Sequence, residues 1–201
     1  MTDRNQETER QRSNFVESLA DYSRKQQAQR WEGSFSDYLR DIVTADPARA
    51  ARSSHQYIWD MICWRGVEAS KPGGAATHYK LFEDDLFGID QALERVANYF
   101  KAASEGSEVG RRLLLLLGPP SGGKSSLVTL LKRGLEAYSH TDEGALYAIQ
   151  ESPIQESPLL LIPHGKQAEF KDTYGVAIGG ELSPFTRALL DGKYDGDFAR
   201  V

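Results

Sequence analysis

Apolar residues recur with the three- and four-residue spacing of an α-helix in three parts of this chain. The first part lies between residues 35 and 62, the second between residues 89 and 100, and the third after residue 126. The apolar positions are Phe35, Tyr38, Leu39, Ile42, Ala51, Ile58, Ile62, Ile89, Leu93, Val96, Phe100, Leu127, Leu130, Leu131, Leu135 and Tyr138. Each part is therefore predicted to form helix with one face packed in a core.

Capping signals divide the first of these parts into two helices. Ser34 and Asp37 have the spacing of a capping box, and the Asp46-Pro47 pair supplies an N-cap followed by proline at the first helical position. Gly66 is suited to end the second helix. The pattern predicts one helix after Ser34 and a second, continuous helix from Pro47 to the glycine.

Three short apolar runs predict β-strands. The strongest is the run of five leucines from Leu113 to Leu117, and the others extend from Ala145 to Ile149 and from Leu159 to Ile162. Because strand patterns and helix patterns are mixed along the chain, the sequence predicts an α/β fold.

The leucine run leads directly into a phosphate-binding motif. The residues after it fit the pattern G-x-x-x-x-G-K-[ST] at every fixed position. They are Gly118, Pro119, Pro120, Ser121, Gly122, Gly123, Lys124 and Ser125. The glycines leave room for backbone N–H groups to surround a polyphosphate at the N-terminus of the following helix. The sequence therefore predicts a P-loop.

Each polar residue of the P-loop has its own expected role. Lys124 is expected to reach the β- and γ-phosphates of ATP and to act in catalysis, and the Ser125 hydroxyl is expected to bind Mg²⁺. Ser126 completes the predicted set of phosphate-binding residues. The alternative is a glycine-rich turn that holds no ligand. The apolar run before the motif and the helical pattern after it favour the phosphate site.

A glycine-rich loop from Lys71 to Thr77 marks a boundary between modules. It divides the chain into a polar, partly ordered leader helix over 1–33, a helical N-terminal segment over 34–70, and a nucleotide-binding domain over 78–201. The last residues stop where a turn has just begun, so this domain is expected to be incomplete at its C-terminal end.

Charge and composition narrow the classes of function. The net charge of −5 and the pI near 5.4 argue against a broad nucleic-acid-binding face. The single cysteine, Cys63, excludes an intramolecular disulfide. The N-terminus lacks the apolar region of a secretory signal, and no apolar stretch approaches the roughly 18 residues of a membrane span. We expect a cytoplasmic protein without a membrane or nucleic-acid partner.

From about Trp31 to Val201 the chain resembles the N-terminal half of the PrkA-type serine protein kinases. The segments that carry the likeness are FSDYLRDIVTADP, YKLFEDDLFGIDQALERVANYF, LLLLLGPPSGGKSSLVTLLKRGLEAYS, ESPIQESPLLLIP and KYDGDFARV. The resemblance implies an AAA-type P-loop ATPase core with a three-layer α/β architecture, preceded by an α-helical N-terminal segment. Whether its sheet is complete or truncated in this chain is left open.

The resemblance also implies an adenine pocket. In AAA proteins a segment similar to DLFGID lies ahead of the P-loop and encloses the base. Leu86, Phe87 and Gly88 of this chain would then face adenine. The alternative is that Phe87 is simply a core residue, as apolar residues ahead of a helix often are.

Two departures from the family pattern change the prediction. The resemblance implies Cys-x-x-His and Cys-x-x-Cys after the P-loop helix, but Ser152, Gln155, Ser183 and Thr186 stand at those positions. None of these is a good zinc ligand, so we expect no zinc site there.

The second departure concerns hydrolysis, which requires a Walker B strand ending in Asp-Glu. The nearest match is Gln150-Glu151, where Gln150 replaces the aspartate and the pair follows the P-loop too soon. Neither a catalytic carboxylate nor a sensor residue or arginine finger is therefore assigned.

The resemblance implies the ATP-binding portion of a serine protein kinase, which binds Mg·ATP at the P-loop and transfers phosphate to a protein serine. Two alternatives stay open. One is an AAA-type mechanical ATPase that remodels or degrades proteins, with a homo-oligomer formed through the AAA core as an option. The other is a regulatory module that binds nucleotide without turnover. The protein substrate is not identified by the sequence.

Overall fold

Helices make up most of the regular structure, and the sheet found among the described residues has two strands. The computed structural model describes residues 12, 14–21, 23, 31–68, 77–83, 85–120 and 122–201. No helix within these ranges is long and apolar enough to cross a membrane.

The leader predicted over residues 1–33 is described only in part. Residues 14–21 are helical, and the apolar side chains Phe15 and Leu19 are 69% and 53% exposed. Tyr22, which follows them at helical spacing, lies outside the described residues.

Ahead of the P-loop, short helices and one small sheet follow one another. The helices are α1 (Phe35–Asp37), which continues as a π-helix over Tyr38–Val43, α2 (Pro47–Ala50), α3 (Ser54–Arg65) and α4 (Asp90–Ser104), with 3-10 turns at Lys80–Phe82 and Glu108–Arg111. Strand β1 (Val67–Glu68) pairs antiparallel with β2 (His78–Tyr79), and Val67 lies opposite Tyr79.

The P-loop and the residues after it contribute three longer helices. These are α5 (Lys124–Ser139), α6 (His164–Tyr174) and α7 (Pro184–Lys193), with 3-10 turns at Pro158–Leu161 and Phe198–Arg200. The P-loop helix α5 starts where the motif predicted it, at Lys124, the lysine of the pattern.

The predicted capping signals are confirmed, with one correction. The Ser34 hydroxyl accepts the Asp37 backbone N–H, and the Asp37 carboxylate accepts that of Ser34 at 3.1 Å. Gly66, with a φ of +119°, ends α3. The predicted continuous second helix is split into α2 and α3, because Ser53 forms a further capping box with Gln56 and starts a new helix.

Two separate apolar clusters form the core. The first joins α3, the turn after β2, α4 and α5, and its buried members are Met61, Ile62, Tyr79, Leu81, Phe82, Leu86, Leu93, Val96, Ala97, Phe100, Leu127 and Tyr138. The second joins the segment around α1 to the chain beyond residue 148, and its buried members are Phe35, Tyr38, Val43, Ile149, Leu159, Leu161, Ile162 and Phe170. The P-loop helix therefore belongs to the first cluster.

The helical N-terminal segment packs directly on the P-loop helix. Gly134 of α5 faces α3, where a Cβ atom placed on it would lie only 2.7 Å from Met61 Sδ and 2.9 Å from Leu81 Cδ1. At the end of α5 the Tyr138 ring lies beside Trp64 of α3, with the ring centroids 5.5 Å apart. The absence of a side chain at Gly134 is thus what allows the two helices to approach closely.

The three predicted strands do not form in the described residues. Residues 113–117 and 145–149 have no ladder partner, and the 3-10 turn Pro158–Leu161 occupies most of the third predicted strand. A strand is defined by pairing of its backbone N–H and C=O groups with a neighbouring strand. An apolar run can predict the tendency to pair, but not whether a neighbour is present.

The leucine run nevertheless has two different faces. Leu113, Leu115 and Leu117 are 87%, 65% and 83% exposed, whereas Leu114 and Leu116 are partly buried against the first cluster. Burial that alternates with a period of two indicates an extended backbone. One face of the run packs on the core and the other is a row of exposed leucines.

We expect the exposed leucine face to drive self-association of the 201-residue chain. Replacing Leu115 by lysine should lower the average mass measured by sedimentation at a given concentration, because a charge would interrupt the row. The melting temperature should stay the same, since Leu115 points away from the core. Ile154→Lys is the control, because Ile154 is 67% exposed on another segment. Equal self-association of the Leu115→Lys chain and the unchanged chain would contradict the prediction.

Candidate functional site

The P-loop turns sharply between the leucine run and α5. The Gly122 N–H donates to the Pro119 carbonyl at 3.2 Å, and a Cβ atom on Gly122 would lie 3.1 Å from that oxygen. Gly123, the residue before α5, has a φ of +76°, in the left-handed region that favours glycine. Glycine therefore suits both Gly122, where a Cβ atom would be in tight contact, and Gly123, with its left-handed backbone. Ser121 lies outside the described residues.

The P-loop packs against the DLFGID segment. A Cβ atom on Gly123 would lie 3.0 Å from Leu86 Cδ2 and 3.5 Å from Ile89 Cδ1. Leu86 is itself buried in the first cluster. The start of α5 is thus held against residues 85–89, although more than thirty positions separate the two segments in the sequence.

Lys124 lies at the first position of α5 and bends back over the loop. Its Nζ donates to the carbonyl oxygens of Gly118 at 2.9 Å and Pro119 at 2.6 Å. Among the described residues, no side chain caps the N-terminus of α5. Within that part of the chain, the first backbone N–H groups of this helix therefore face the loop without a side-chain acceptor, next to a cationic side chain. The exposed Ser125 follows on the first turn.

A cavity of about 660 Å³ lies between the two segments. It is lined by Asp85, Leu86, Phe87, Ile89, Pro120, Gly122, Gly123, Lys124, Ser125 and Ser126. Phe87 is 78% exposed, so it is not a core residue. Gly88, with a φ of +73°, turns the chain beside the cavity without lining it. The structure thus brings Leu86 and Phe87, but not Gly88, together with the P-loop around one cavity.

Glu151, the nearest match to a Walker B glutamate, lies elsewhere. Its carboxylate is paired with the Lys193 ammonium at the end of α7. Together with Gln150 it lines a different cavity, of about 510 Å³, which also contains Trp31 and Tyr147. None of the described residues around that cavity comes from the P-loop.

Three of the four positions considered for zinc converge on one carboxylate. Ser152, Ser183 and Thr186 all donate hydroxyl hydrogen bonds to Glu156. The fourth position, Gln155, lies in the turn between Ser152 and Glu156, with a φ of +52°. Burial on its own would raise the pKa of Glu156. The hydrogen bonds from Thr186, the Ser183 backbone and the two serine hydroxyls outweigh it, so the pKa is lowered.

Sequence reasoning missed Arg52, which joins the N-terminal segment to the end of the P-loop helix. Its guanidinium donates to Asp60 Oδ2 and Tyr138 Oη, both at 3.0 Å, and to the Glu143 carbonyl at 3.1 Å. It also lies 5.0 Å from the centroid of the Tyr57 ring. These partners are up to 91 residues away, so no local pattern could have revealed them.

Curated relatives match the chain over part of their length. The chain is 43% identical over 183 residues to the "ATP-dependent protease PrkA" of Bacillus subtilis (strain 168), which covers 90% of this chain and 28% of that protein. It is 30% identical over 129 residues to the "Serine/threonine kinase YeaG" of Escherichia coli (strain K12), covering 61% of this chain and 19% of that protein.

A shorter likeness is found to the Lon protease of Rickettsia felis, which is 34% identical over 56 residues, 28% of this chain and 7% of that protein. The chain thus spans less than a third of the length of each of these relatives. No solved structure matches it. The family model of the PrkA AAA domain matches residues 33–201. Since that match includes the P-loop and both apolar clusters, this chain belongs to the PrkA AAA domain family.

Proposed function

We propose that this chain binds Mg·ATP in the cavity between residues 85–89 and the P-loop. The observation that carries the proposal is that one cavity of about 660 Å³ combines Lys124, the start of α5 and the exposed Phe87. Its volume falls within the roughly 300–1,000 Å³ of small-molecule sites. A cationic end and an aromatic end suit a triphosphate attached to a planar base.

The residues at the cationic end fit a polyphosphate. The N-terminus of α5, which none of the described side chains caps, offers backbone N–H groups, and Lys124 offers a mobile ammonium. Within the described part of the chain, no hydrogen bond engages the Ser125 hydroxyl, which leaves it available to a cation. When bound, Mg²⁺ would neutralise phosphate charge, with Ser125 as its protein ligand. We assign residues Gly118 to Ser126 to the binding of the polyphosphate.

The proposal includes a fold and a location. We assign the chain to the P-loop NTPases of AAA type, with the extended leucine run in the position of the strand that precedes the P-loop in that fold. The alternating burial of that run and its position before α5 support the assignment. We also assign the protein to the cytoplasm, where ATP is available.

Phe87→Ala is expected to reduce the affinity for ATP about tenfold, because a base stacked on an aromatic ring loses roughly 1–3 kcal/mol when the ring is removed. The affinity for inorganic triphosphate should stay unchanged, since that ligand has no base. Phe185→Ala is the matched control, because Phe185 is 53% exposed on α7, away from the P-loop cavity. Isothermal titration with both ligands measures the effect, and equal losses for ATP and triphosphate would exclude a stacking role.

For the reaction that ATP drives, phosphoryl transfer to protein serine is one candidate. It is the function implied by the sequence resemblance, and the name of the YeaG relative supports it. In such a reaction Lys124 would hold the transferred phosphate and stabilise its charge. The acceptor protein is not identified by any described residue.

ATP-driven proteolysis is the second candidate, and the comparisons favour it. The relative with 43% identity over 90% of this chain is named an ATP-dependent protease, and the Lon likeness points the same way. An AAA unit of this class would assemble through its core into a homo-oligomer. As in the kinase proposal, the chain itself would supply the nucleotide site.

One assay separates the two reactions. The protein is incubated with casein and ATP labelled on the γ-phosphate, and both labelled serine and released peptides are measured. Labelled serine supports the kinase, and peptides released only with ATP support the protease. Lys124→Ala should abolish either signal. Nucleotide binding with neither signal would leave a regulatory module as the function of the site.

A further inference from the structure

Glu156 is a buried carboxylate with an unusually complete set of donors. It is 6% exposed, and its Oε2 atom accepts the hydroxyls of Ser152 at 2.8 Å and Ser183 at 2.9 Å, and that of Thr186. Its Oε1 atom accepts the Ser183 backbone N–H at 2.5 Å. One side chain thus satisfies four donors that lie on two separate segments.

The donors join segments that are distant in the sequence. Ser152 lies four residues before Glu156, in the loop over 150–157, whereas Ser183 and Thr186 lie 27 and 30 residues after it, at the start of α7. A backbone hydrogen bond also closes the loop, because the Ile149 N–H donates to the Glu156 carbonyl at 2.9 Å. The carboxylate therefore links a closed loop to the first turn of a helix.

The charge of Glu156 suits this position. Ser183 is the N-cap of α7, and its hydroxyl accepts the Thr186 N–H at 3.2 Å. A carboxylate beside the N-terminus of a helix is stabilised by the helix dipole, and hydrogen bonds to a charged acceptor are stronger than neutral ones. The link is thus stronger than an ordinary serine cap.

The other polar link between the same segments is much weaker. At the opposite end of α7 the Lys193 ammonium pairs with Glu151, but the two side chains are 52% and 40% exposed. Exposed ion pairs contribute little to stability because water and salt screen them. Of these two polar links between α7 and the loop, the buried one at Glu156 is therefore the stronger.

We propose that Glu156 is a latch that holds α7 against the 150–157 loop, and that its loss releases α7 without opening the P-loop core. The two apolar clusters support this separation, because α5 belongs to the first and the residues flanking Glu156, Ile149 and Leu159, belong to the second. Helix α7 also forms one wall of a cavity of about 470 Å³ against residues 160–167. Release of the latch would change the width of that cavity.

Hydrogen exchange followed by mass spectrometry tests the latch on the full 201-residue chain. In Glu156→Ala, exchange in α7 and in the 150–157 loop is expected to rise about a hundredfold, and in Glu156→Gln about tenfold, since the amide keeps one acceptor oxygen. Exchange in α5 should remain unchanged in both variants. A merely structural role would raise exchange throughout the chain.

A matched control uses an exposed ion pair between α7 and the residues just before it. Arg187 of α7 is 55% exposed and Glu181, two residues before the N-cap, is 70% exposed, so Glu181→Gln should leave exchange in α7 unchanged. If Glu156→Ala does not fold, Thr186→Val removes one donor while preserving the shape of the side chain, and should raise exchange in α7 only. Unchanged exchange in α7 of Glu156→Gln and Thr186→Val, or an equal rise in α5, would overturn the proposal.

Discussion

Lys124→Ala is expected to lower the affinity for Mg·ATP roughly a hundredfold, since about two charge-assisted hydrogen bonds to phosphate would be lost. The fold should be retained. Among the described residues, the ammonium hydrogen-bonds to the carbonyl oxygens of Gly118 and Pro119, both on exposed residues that water can solvate once the lysine is gone. Calorimetric titration measures the affinity, and circular dichroism measures the fold.

The control for this variant lies on the same helix. Lys132 is an exposed lysine of α5 two turns beyond the P-loop, so Lys132→Ala changes the net charge equally while leaving the cavity intact. Its affinity for Mg·ATP should equal that of the unchanged chain. Equal affinities for Lys124→Ala and Lys132→Ala would remove the P-loop assignment.

Arg52→Ala is expected to lower the free energy of unfolding by about 3 kcal/mol, through lost packing of the side-chain stem and lost hydrogen bonds. The side chain is only 9% exposed, and its removal leaves the Glu143 carbonyl and the Tyr138 hydroxyl without their cationic donor. Arg52→Lys should recover only part of the loss. Its ammonium keeps the charge, but it cannot reproduce the planar guanidinium that contacts Asp60, Tyr138 and Glu143 together.

Urea unfolding of these variants provides the measurement. Arg111→Ala is the control, since the Arg111 side chain is 85% exposed and lies 3.8 Å from an equally exposed Glu108. Its free energy of unfolding should change by less than about 0.5 kcal/mol. A loss in Arg52→Ala no larger than in Arg111→Ala would show that Arg52 does not join the N-terminal segment to α5.

Local patterns predicted the helices up to Tyr138 well, because the forces that start and end a helix act over a few residues. The capping box at Ser34 and the glycine stop at Gly66 are examples, and the same reasoning located the start of α5. The division between α2 and α3 was missed because a favourable pattern of apolar residues continues through the capping residue Ser53. Helices α6 and α7, beyond Tyr138, were not predicted.

Features that depend on distant partners could not be predicted in this way. The leucine run has the residues of a strand, yet strand formation requires a neighbour that no local pattern specifies. Arg52 and Glu156 looked like ordinary charged residues, since their importance comes from partners tens of positions away. The grouping of Phe87 with the P-loop was expected only through family resemblance, because nothing in its own neighbourhood indicates where that ring lies.

The close approach at Gly134 has a mechanical consequence. Met61 Sδ and Leu81 Cδ1 fill the space that a side chain at residue 134 would occupy, so packing there opposes a rotation or shift of α5 relative to α3. A displacement of the Lys124 end of α5 would therefore be resisted by, and passed on to, α3. Motion of α5, which begins at Lys124, would in this way reach the N-terminal segment. The size of the side chain at residue 134 would determine how closely the two helices move together.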